Sequence, residues 1–371
     1  MRRLFIITEL FPPDETSTSY ILGEIANACA QEYEVHVICG PEVYDTRKKL
    51  DTEHPFVINP AISVFRAKES GFNKNKVVGK ALSLIMMSLR LRKLAKSHIK
   101  NGDKVLLVTN PAPLVYFISR LKKTIGFEFV LLVHDVFPEN LLQQNVIIPG
   151  MFYRLVKLVF DRAYAGADRL IALGRDMKKV LLDKTGQETK VLIVENWADT
   201  EKIKPVPFPS ADVMRVEYAG NLGRAQKLDK LIANLPDDVE LHVYGTGAME
   251  QSLKGMHRPR VFFHGPYFRS QQNEVLGACH ASIVSLSDSM YGIAVPSKSY
   301  NIMASGRPII FFGPVDSEIA LIVREHDIGY IGWPNAWDID EMKRKGDKAR
   351  IISETMFSKA IILKKFLDAI R

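Results

Sequence analysis

The stretch "VPSKSYNIMASGRPIIFF", Val295–Phe312, reads as a turn, a short helix, a Gly-Arg-Pro corner and a buried strand. The same alternation fills the chain on either side: short β-rich apolar runs separated by longer amphipathic segments, the pattern of βα units on a mostly parallel sheet. Before it come "VMRVEYAG", "VELHVYG", "RVFFHG" and "ASIVSL", and after it "IGYIG". Toward the N-terminus lies a second set, "RLFIIT", "EVHVIC", "ISVFRA", "KVLLVT", "FEFVLLV", "DRLIAL" and "KVLIV", with helical patterns near 18–31, 74–100, 111–124, 150–165 and 175–184. Between the sets, "ENWADTEKIKPVPFPS" holds three prolines and little periodicity, and reads as a linker.

The expectation is an α/β chain of two doubly wound Rossmann-like domains, 1–195 and 213–349, joined by a linker at 196–212. Ligands of such sheets bind outside the carboxyl ends of the strands, so the two domains should face a common cleft. The last helical pattern, 350–371, has no strand after it and is expected to pack back on the first domain.

A length of 371 residues with 47% hydrophobic content fits two soluble domains. The net charge of +8 favours an anionic partner. Cys29, Cys39 and Cys279 are odd in number and far apart, which indicates neither a disulfide framework nor a zinc site and suits a reducing, cytoplasmic setting. The opening "MRRLFIITELFPPDE" has too short an apolar run for a signal peptide, and no apolar stretch approaches the roughly 20 residues of a membrane-spanning helix.

Several motifs fall at predicted strand ends. "FPPDETSTSY" puts Ser17 and Thr18 at the start of the first long helix, where they would cap it or face an anion. "VLLVHDVFPEN" delivers His134, Asp135 and Glu139 at the end of a buried strand, as cleft-lining groups or as a local network. "YAGNLGRAQKLDKLI" carries Gly220, Asn221 and Gly223 in a turn followed by Arg224 and Lys227, two cations beside a helix start that suit a diphosphate. Gly245 in "HVYGTG" and Gly265 with Tyr267 in "FFHGPY" mark two further turns, while Ser297 and Lys298 open the helix of the first-quoted stretch. Asp338 and Asp340 in "WDID" have the spacing of a metal-binding pair, but capping of the helix that follows is the better reading.

The order of these features resembles the GT-B glycosyltransferases of family 4, in particular the bacterial group 1 enzymes of capsule, O-antigen and exopolysaccharide synthesis. The resemblance implies a retaining hexosyltransferase moving a sugar from a nucleotide-diphosphate donor, UDP foremost, to a lipid-linked glycan at the inner face of the cell membrane. His134, Asp135, Arg224 and Lys227 would be catalytic. Donor contacts would come from Ser17, Gly220, Asn221, Gly223, Gly245, Gly265, Tyr267, Ser297, Lys298 and Asn301, with Thr18 and Glu139 on the acceptor side. No cofactor, metal or nucleic acid is expected.

The resemblance is incomplete where the family places two glutamates seven residues apart, because this chain has Ile293 and Asn301 there. Asparagine can still accept a ribose hydrogen bond, and Pro-Ser-Lys at 296–298 suggests a different grip on the donor. A nucleotide-sugar 2-epimerase of the same fold and a non-catalytic glycan-binding subunit stand as alternatives. The segment 74–100, with Val78, Leu82, Ile85, Met86 and Leu89 flanked by Lys74, Lys76, Lys80, Arg90, Arg92, Lys93 and Lys96, is the expected contact with an anionic membrane surface, although a helix covering a sheet needs the same pattern.

Overall fold

The computed structural model describes residues 1–14, 16–42, 55–69, 77–143, 146, 148–210 and 213–371. Lys74 and Lys76 of the basic segment lie outside the described residues, as do the side chains of Val77, Val78 and Lys80. The chain divides into two compact units: 1–173 with 177–194 and 365–371, and 195–364 with 174–176.

In the first unit, β1 (Arg2–Ile7), β2 (Tyr33–Cys39), β3 (Ser63–Arg66), β4 (Lys104–Val108), β5 (Glu128–Leu132), β6 (Arg169–Ala172) and β7 (Val191–Ile193) form one sheet. Its order is β3-β2-β1-β4-β5-β6-β7, parallel at every pairing. After the charged residues that start them, Arg2 and Arg3, Lys104 and Glu128, the central strands are apolar and buried, as strands covered on both faces must be. The connections are α1 (Ser17–Cys29), α2 (Val77–His98), α3 (Ala112–Ile125), α4 (Glu139–Gln143), α5 (Met151–Ala165) and α6 (Arg175–Thr185).

The second unit repeats the plan with β8 (Met214–Ala219), β9 (Val239–Tyr244), β10 (Val261–Gly265), β11 (Ala281–Ser285), β12 (Ile309–Phe312) and β13 (Gly329–Ile331) in the order β10-β9-β8-β11-β12-β13. These strands are parallel too. Helices α7 (Leu228–Ala233), α8 (Glu250–Lys254), α9 (Gln272–Gly277), α10 (Lys298–Ala304), α11 (Glu318–Glu325) and α12 (Ile339–Thr355) complete it. Each sheet reverses its winding once, at β1/β4 and at β8/β11, and this is where doubly wound sheets hold ligands.

The Gly-Arg-Pro corner is built around Arg307, a residue 1% exposed. Its guanidinium donates to the carbonyls of Cys279, Gly277, Val206 and Pro207 at 2.8–3.1 Å and lies over the Phe208 ring. A fixed fork of donors can satisfy four carbonyls at once, and in doing so it fastens the proline-rich segment 205–209 onto the second unit. Cys29, Cys39 and Cys279 are buried free thiols, and burial raises the pKa of each.

The pattern at 350–371 is not one helix. It breaks at 356–358, where Ser358 bridges Ala198 and the Phe357 carbonyl accepts from the Ala198 amide at 2.7 Å. A helical backbone could not offer that carbonyl outward, so the chain leaves the helix and restarts as α13 (Lys359–Ile370). The end of α13 belongs to the first unit. Buried Lys104 donates to the carbonyls of Ile370 and Arg371, and Arg169 donates to that of Ala369. Cations at a helix C-terminus satisfy its orphan carbonyls and complement its dipole.

Candidate functional site

At the carboxyl edge of the second sheet three glycines stand on neighbouring strands. Gly220 and Gly245 follow β8 and β9 directly, and Gly265 ends β10; the Gly220 amide donates to Tyr244 and the Gly245 amide to Gly265. A Cβ on Gly245 would lie 1.9 Å from the Gly220 carbonyl oxygen, with φ at +126°. Only glycine permits that approach. The result is a backbone floor at the sheet edge, made by the ends of three neighbouring strands.

Lys298 reaches this floor. A Cβ placed on Gly220 would be 3.8 Å from its Cδ and 3.9 Å from its Nζ, and the ammonium lies 3.3 Å from the centroid of the Tyr218 ring. Tyr218 is fixed by its hydroxyl donating to the Asn221 carbonyl at 2.9 Å. Beneath is Glu217, 0% exposed on β8. Burial pushes the Glu217 carboxyl up, with the Ser282 hydroxyl and the Lys298 charge opposing, and it pulls Lys298 down with Glu217 opposing. Among the described residues the Lys298 ammonium is buried without a hydrogen-bond acceptor. An ammonium so placed is desolvated in advance and ready for an anionic oxygen.

Arg224 and Lys227 are exposed, and neither side chain has a hydrogen bond or ion pair among the described residues. Arg224 opens a 3-10 turn after Gly223, and Lys227 takes the left-handed conformation, φ 49°, ψ 37°, at the start of α7. Asn221 is exposed, and its Nδ2 lies 2.7 Å from where a Cβ on Gly223 would be. Tyr267 is half-buried and meets the Tyr244 ring edge-on at 6.2 Å. Burial raises its phenol pKa.

Ser297 precedes α10 with no side-chain capping bond. Asn301, on the same helix, is already engaged: its Oδ1 accepts from the Asp199 amide at 3.2 Å and its Nδ2 faces Gln272 Oε1 at 3.4 Å. Ile293 is buried at 5% exposure. Asp338 caps α12 by accepting from the amides of Asp340 and Glu341 at 2.9 and 3.1 Å.

In the first unit the expected residues also fall at strand ends. Thr109, just past β4, uses its hydroxyl to accept from the amides of both His134 and Asp135, at 3.1 and 3.2 Å. The Tyr164 hydroxyl supports the same loop, accepting from the Phe137 amide at 3.2 Å. Burial lowers His134 to about 4 and raises Asp135 to about 6, Asn140 pulling the latter back. The imidazole is therefore neutral, and its Nε2 has no partner among the described residues, which leaves it available to a ligand hydroxyl. Glu139 is spent on Lys184, at 2.7 and 2.9 Å, with Lys157 at 3.5 Å. Thr16, rather than Ser17 or Thr18, caps α1, accepting from the Ser19 amide; Ser17 is exposed and Thr18 half-buried.

Sequence reasoning passed over Glu217, Tyr218 and Thr109. Glu217 had a signal, since it is the one acid inside "VMRVEYAG".

The Glycosyltransferase Family 4 model matches residues 19–202. A probable glycosyltransferase of Pseudomonas aeruginosa, WbjE, is 29% identical over 400 aligned positions, covering 100% of this chain and 98% of its own. Among solved structures, sucrose-phosphate synthase of Thermosynechococcus elongatus has a TM-score of 0.73 at 14% identity, over 99% of this chain and 98% of its own. Anabaena HepE, solved with UDP-glucose, has a TM-score of 0.67 at 15% identity over 99% of each chain. The chain is thus similar from end to end to a glycosyltransferase, and the two parallel sheets it shares with the solved structures give it their GT-B fold of two Rossmann-like domains.

Proposed function

We propose that the chain is a retaining family 4 transferase that moves a sugar from a UDP-sugar to a lipid-linked glycan during synthesis of a bacterial surface polysaccharide. It would work peripherally at the inner, anionic face of the cell membrane. The observation that carries the donor half of this reading is the glycine floor at Gly220, Gly245 and Gly265 with the Lys298 ammonium turned onto it and lacking an acceptor. A diphosphate on that floor would receive Lys298 from below, while Arg224 and Lys227, exposed and unpaired, neutralise its charge as the bond to the sugar breaks. UDP-glucose in HepE supports the choice of base.

The acceptor hydroxyl would attack from the side the nucleotide leaves, and a departing phosphate oxygen would take its proton, so no metal or separate base is needed. His134 would hold a sugar hydroxyl with its unpartnered Nε2, and Asp135 would sit beside it. With Asn301 engaged by Asp199 and Ile293 buried, the donor grip would shift from carboxylates to Lys298.

The test is thermal stabilisation by UDP, UDP-glucose, GDP and GDP-mannose, with and without magnesium. Ligand at 100 times its dissociation constant adds about 2.7 kcal/mol. Incubation with a lipid-linked saccharide follows, the product's anomeric configuration being read by NMR. Stabilisation by no nucleotide would overturn the donor reading. Donor turnover without any acceptor would point to the epimerase, and donor binding without turnover to a non-catalytic subunit.

A further inference from the structure

The solvent-facing side of α5 is apolar. Met151, Phe152, Leu155, Leu158 and Val159 are 76%, 67%, 57%, 46% and 40% exposed, and at 3.6 residues per turn they share one side of the helix. Ile148, in the approach to it, is 81% exposed. Of the four charged residues of α5, Arg154 and Arg162 stay exposed beside this apolar surface, while Lys157 pairs with Asp161 at 2.6 Å and Lys184 joins Asp161 and Glu139 at 2.5 and 2.7 Å. A helix that merely covers a sheet turns its apolar stripe inward and its charges to water. Helix α5 buries Phe160, Ala163 and Tyr164 in that way but carries a second apolar side outward, and contiguous exposed apolar surface of this kind marks a contact.

Exposed apolar side chains continue across its neighbours. Helix α3 packs against both α2 and α5, so the three form one layer. Leu82, Ile85 and Leu89 of α2 and Tyr116 of α3 are exposed in it. Beyond them stand exposed cations: Lys93 and Lys96 on α2, Arg120 and Lys123 on α3, Arg154 and Arg162 on α5. The sequences of the three helices contain one acid, Asp161, and it is turned inward into its ion pairs. A second copy packed on this face would set cation against cation. An anionic bilayer would take the apolar side chains into its acyl boundary and the cations at its headgroups.

We propose that the α2–α3–α5 layer, centred on the outward face of α5, docks the protein on anionic lipid; this rests on the reading of a membrane-bound acceptor. Helix α2, the described helix of the segment 74–100, is then one edge of the surface rather than its centre. Crossover helices begin at the carboxyl ends of the strands, so the apolar N-terminal turns of α5 lie toward the sheet edge that carries His134 and Asp135. A lipid-anchored acceptor would approach along that edge.

The test is flotation of the full chain with vesicles of phosphatidylcholine containing phosphatidylglycerol, against phosphatidylcholine alone. The parent should float with the anionic vesicles only. Phe152→Ser with Leu155→Ser and Val159→Ser should lower partitioning at least tenfold, and Arg120→Glu with Lys123→Glu should do so in a salt-dependent way. Unchanged melting curves and nucleotide binding establish that the variants fold. Equal flotation of the α5 variant and the parent overturns the proposal, as does a parent that ignores anionic vesicles. A concentration-dependent dimer by light scattering, lost in the α5 variant, would assign the face to a second copy instead. Neither donor nor acceptor enters the assay, so a transferase acting on a soluble acceptor would leave a positive result standing.

Discussion

Lys298 and Tyr218 meet face to face: the ammonium lies 3.3 Å from the ring centroid, with Glu217, the residue before Tyr218, as counter-charge. Desolvated cation–π contacts contribute about 2 kcal/mol. The ring and the Glu217 carboxyl thus oppose the burial that pulls the Lys298 pKa down, with no hydrogen bond to help them.

Lys298→Met should expose the dependence of this pair on pH. Without the ammonium, the Glu217 carboxyl, already raised by burial, rises further. A group whose folded pKa is raised adds stability that is present below its unfolded pKa and is lost as pH rises through the folded one. The variant should therefore be near parental at about pH 5 and lose about 3 kcal/mol at about pH 8, on the order of 10 °C in the melting midpoint. Melts at both values decide it; equal losses would remove Glu217 from the account.

Arg224→Ala should leave stability within about 0.5 kcal/mol, because an exposed side chain without partners is lost cheaply. Its effect belongs to turnover. A transition-state contact to the leaving diphosphate is worth about 3 kcal/mol, on the order of a hundredfold in kcat, with a smaller change in donor KM. Steady-state kinetics separate the two, and an unchanged kcat would take Arg224 out of the mechanism.

Asn301→Ala should cost about 1–2 kcal/mol in urea unfolding, since the Asp199 amide loses its acceptor. Asn301→Asp keeps an oxygen there and should recover most of the loss. If alanine and aspartate behave alike, the bond to Asp199 is not what the side chain contributes.

Gly245→Ala and Gly265→Ala separate crowding from backbone strain. At Gly265 an added Cβ meets nothing within 4 Å, and the cost is that of φ at +79°, about 1–2 kcal/mol. At Gly245 the methyl would collide with the Gly220 carbonyl, so β8 and β9 must part. The second variant should melt lower than the first and bind nucleotide more weakly, as measured by thermal shift with UDP.

The strands were legible because parallel strands buried on both faces leave unbroken apolar runs, "KVLLV" and "IIFF" among them. The glycines at 220, 245 and 265 were legible because turns at strand ends need them. What Asn301 does was not, because an amide looks the same in sequence whether its oxygen faces a ribose or the Asp199 backbone. Nor was the inward turn of Lys298, which depends on an acid some eighty positions away. Helix α5 is the clearest case: a 3.6-residue period reveals an apolar stripe but carries no sign of which way it points.

The clamp on α13 bears on how the chain comes into being. A polypeptide made from its N-terminus completes residues 1–194 long before residues 365–371 exist, yet both belong to one unit. Until those residues emerge, Lys104 lacks the Ile370 carbonyl that it binds in the finished fold. The unit started first is thus the one finished last, whereas the second, 195–364 with 174–176, is almost continuous in the chain. A chain cut back to residue 364 would keep every residue of the second unit and leave the first sheet without the helix end that its Lys104 and Arg169 hold.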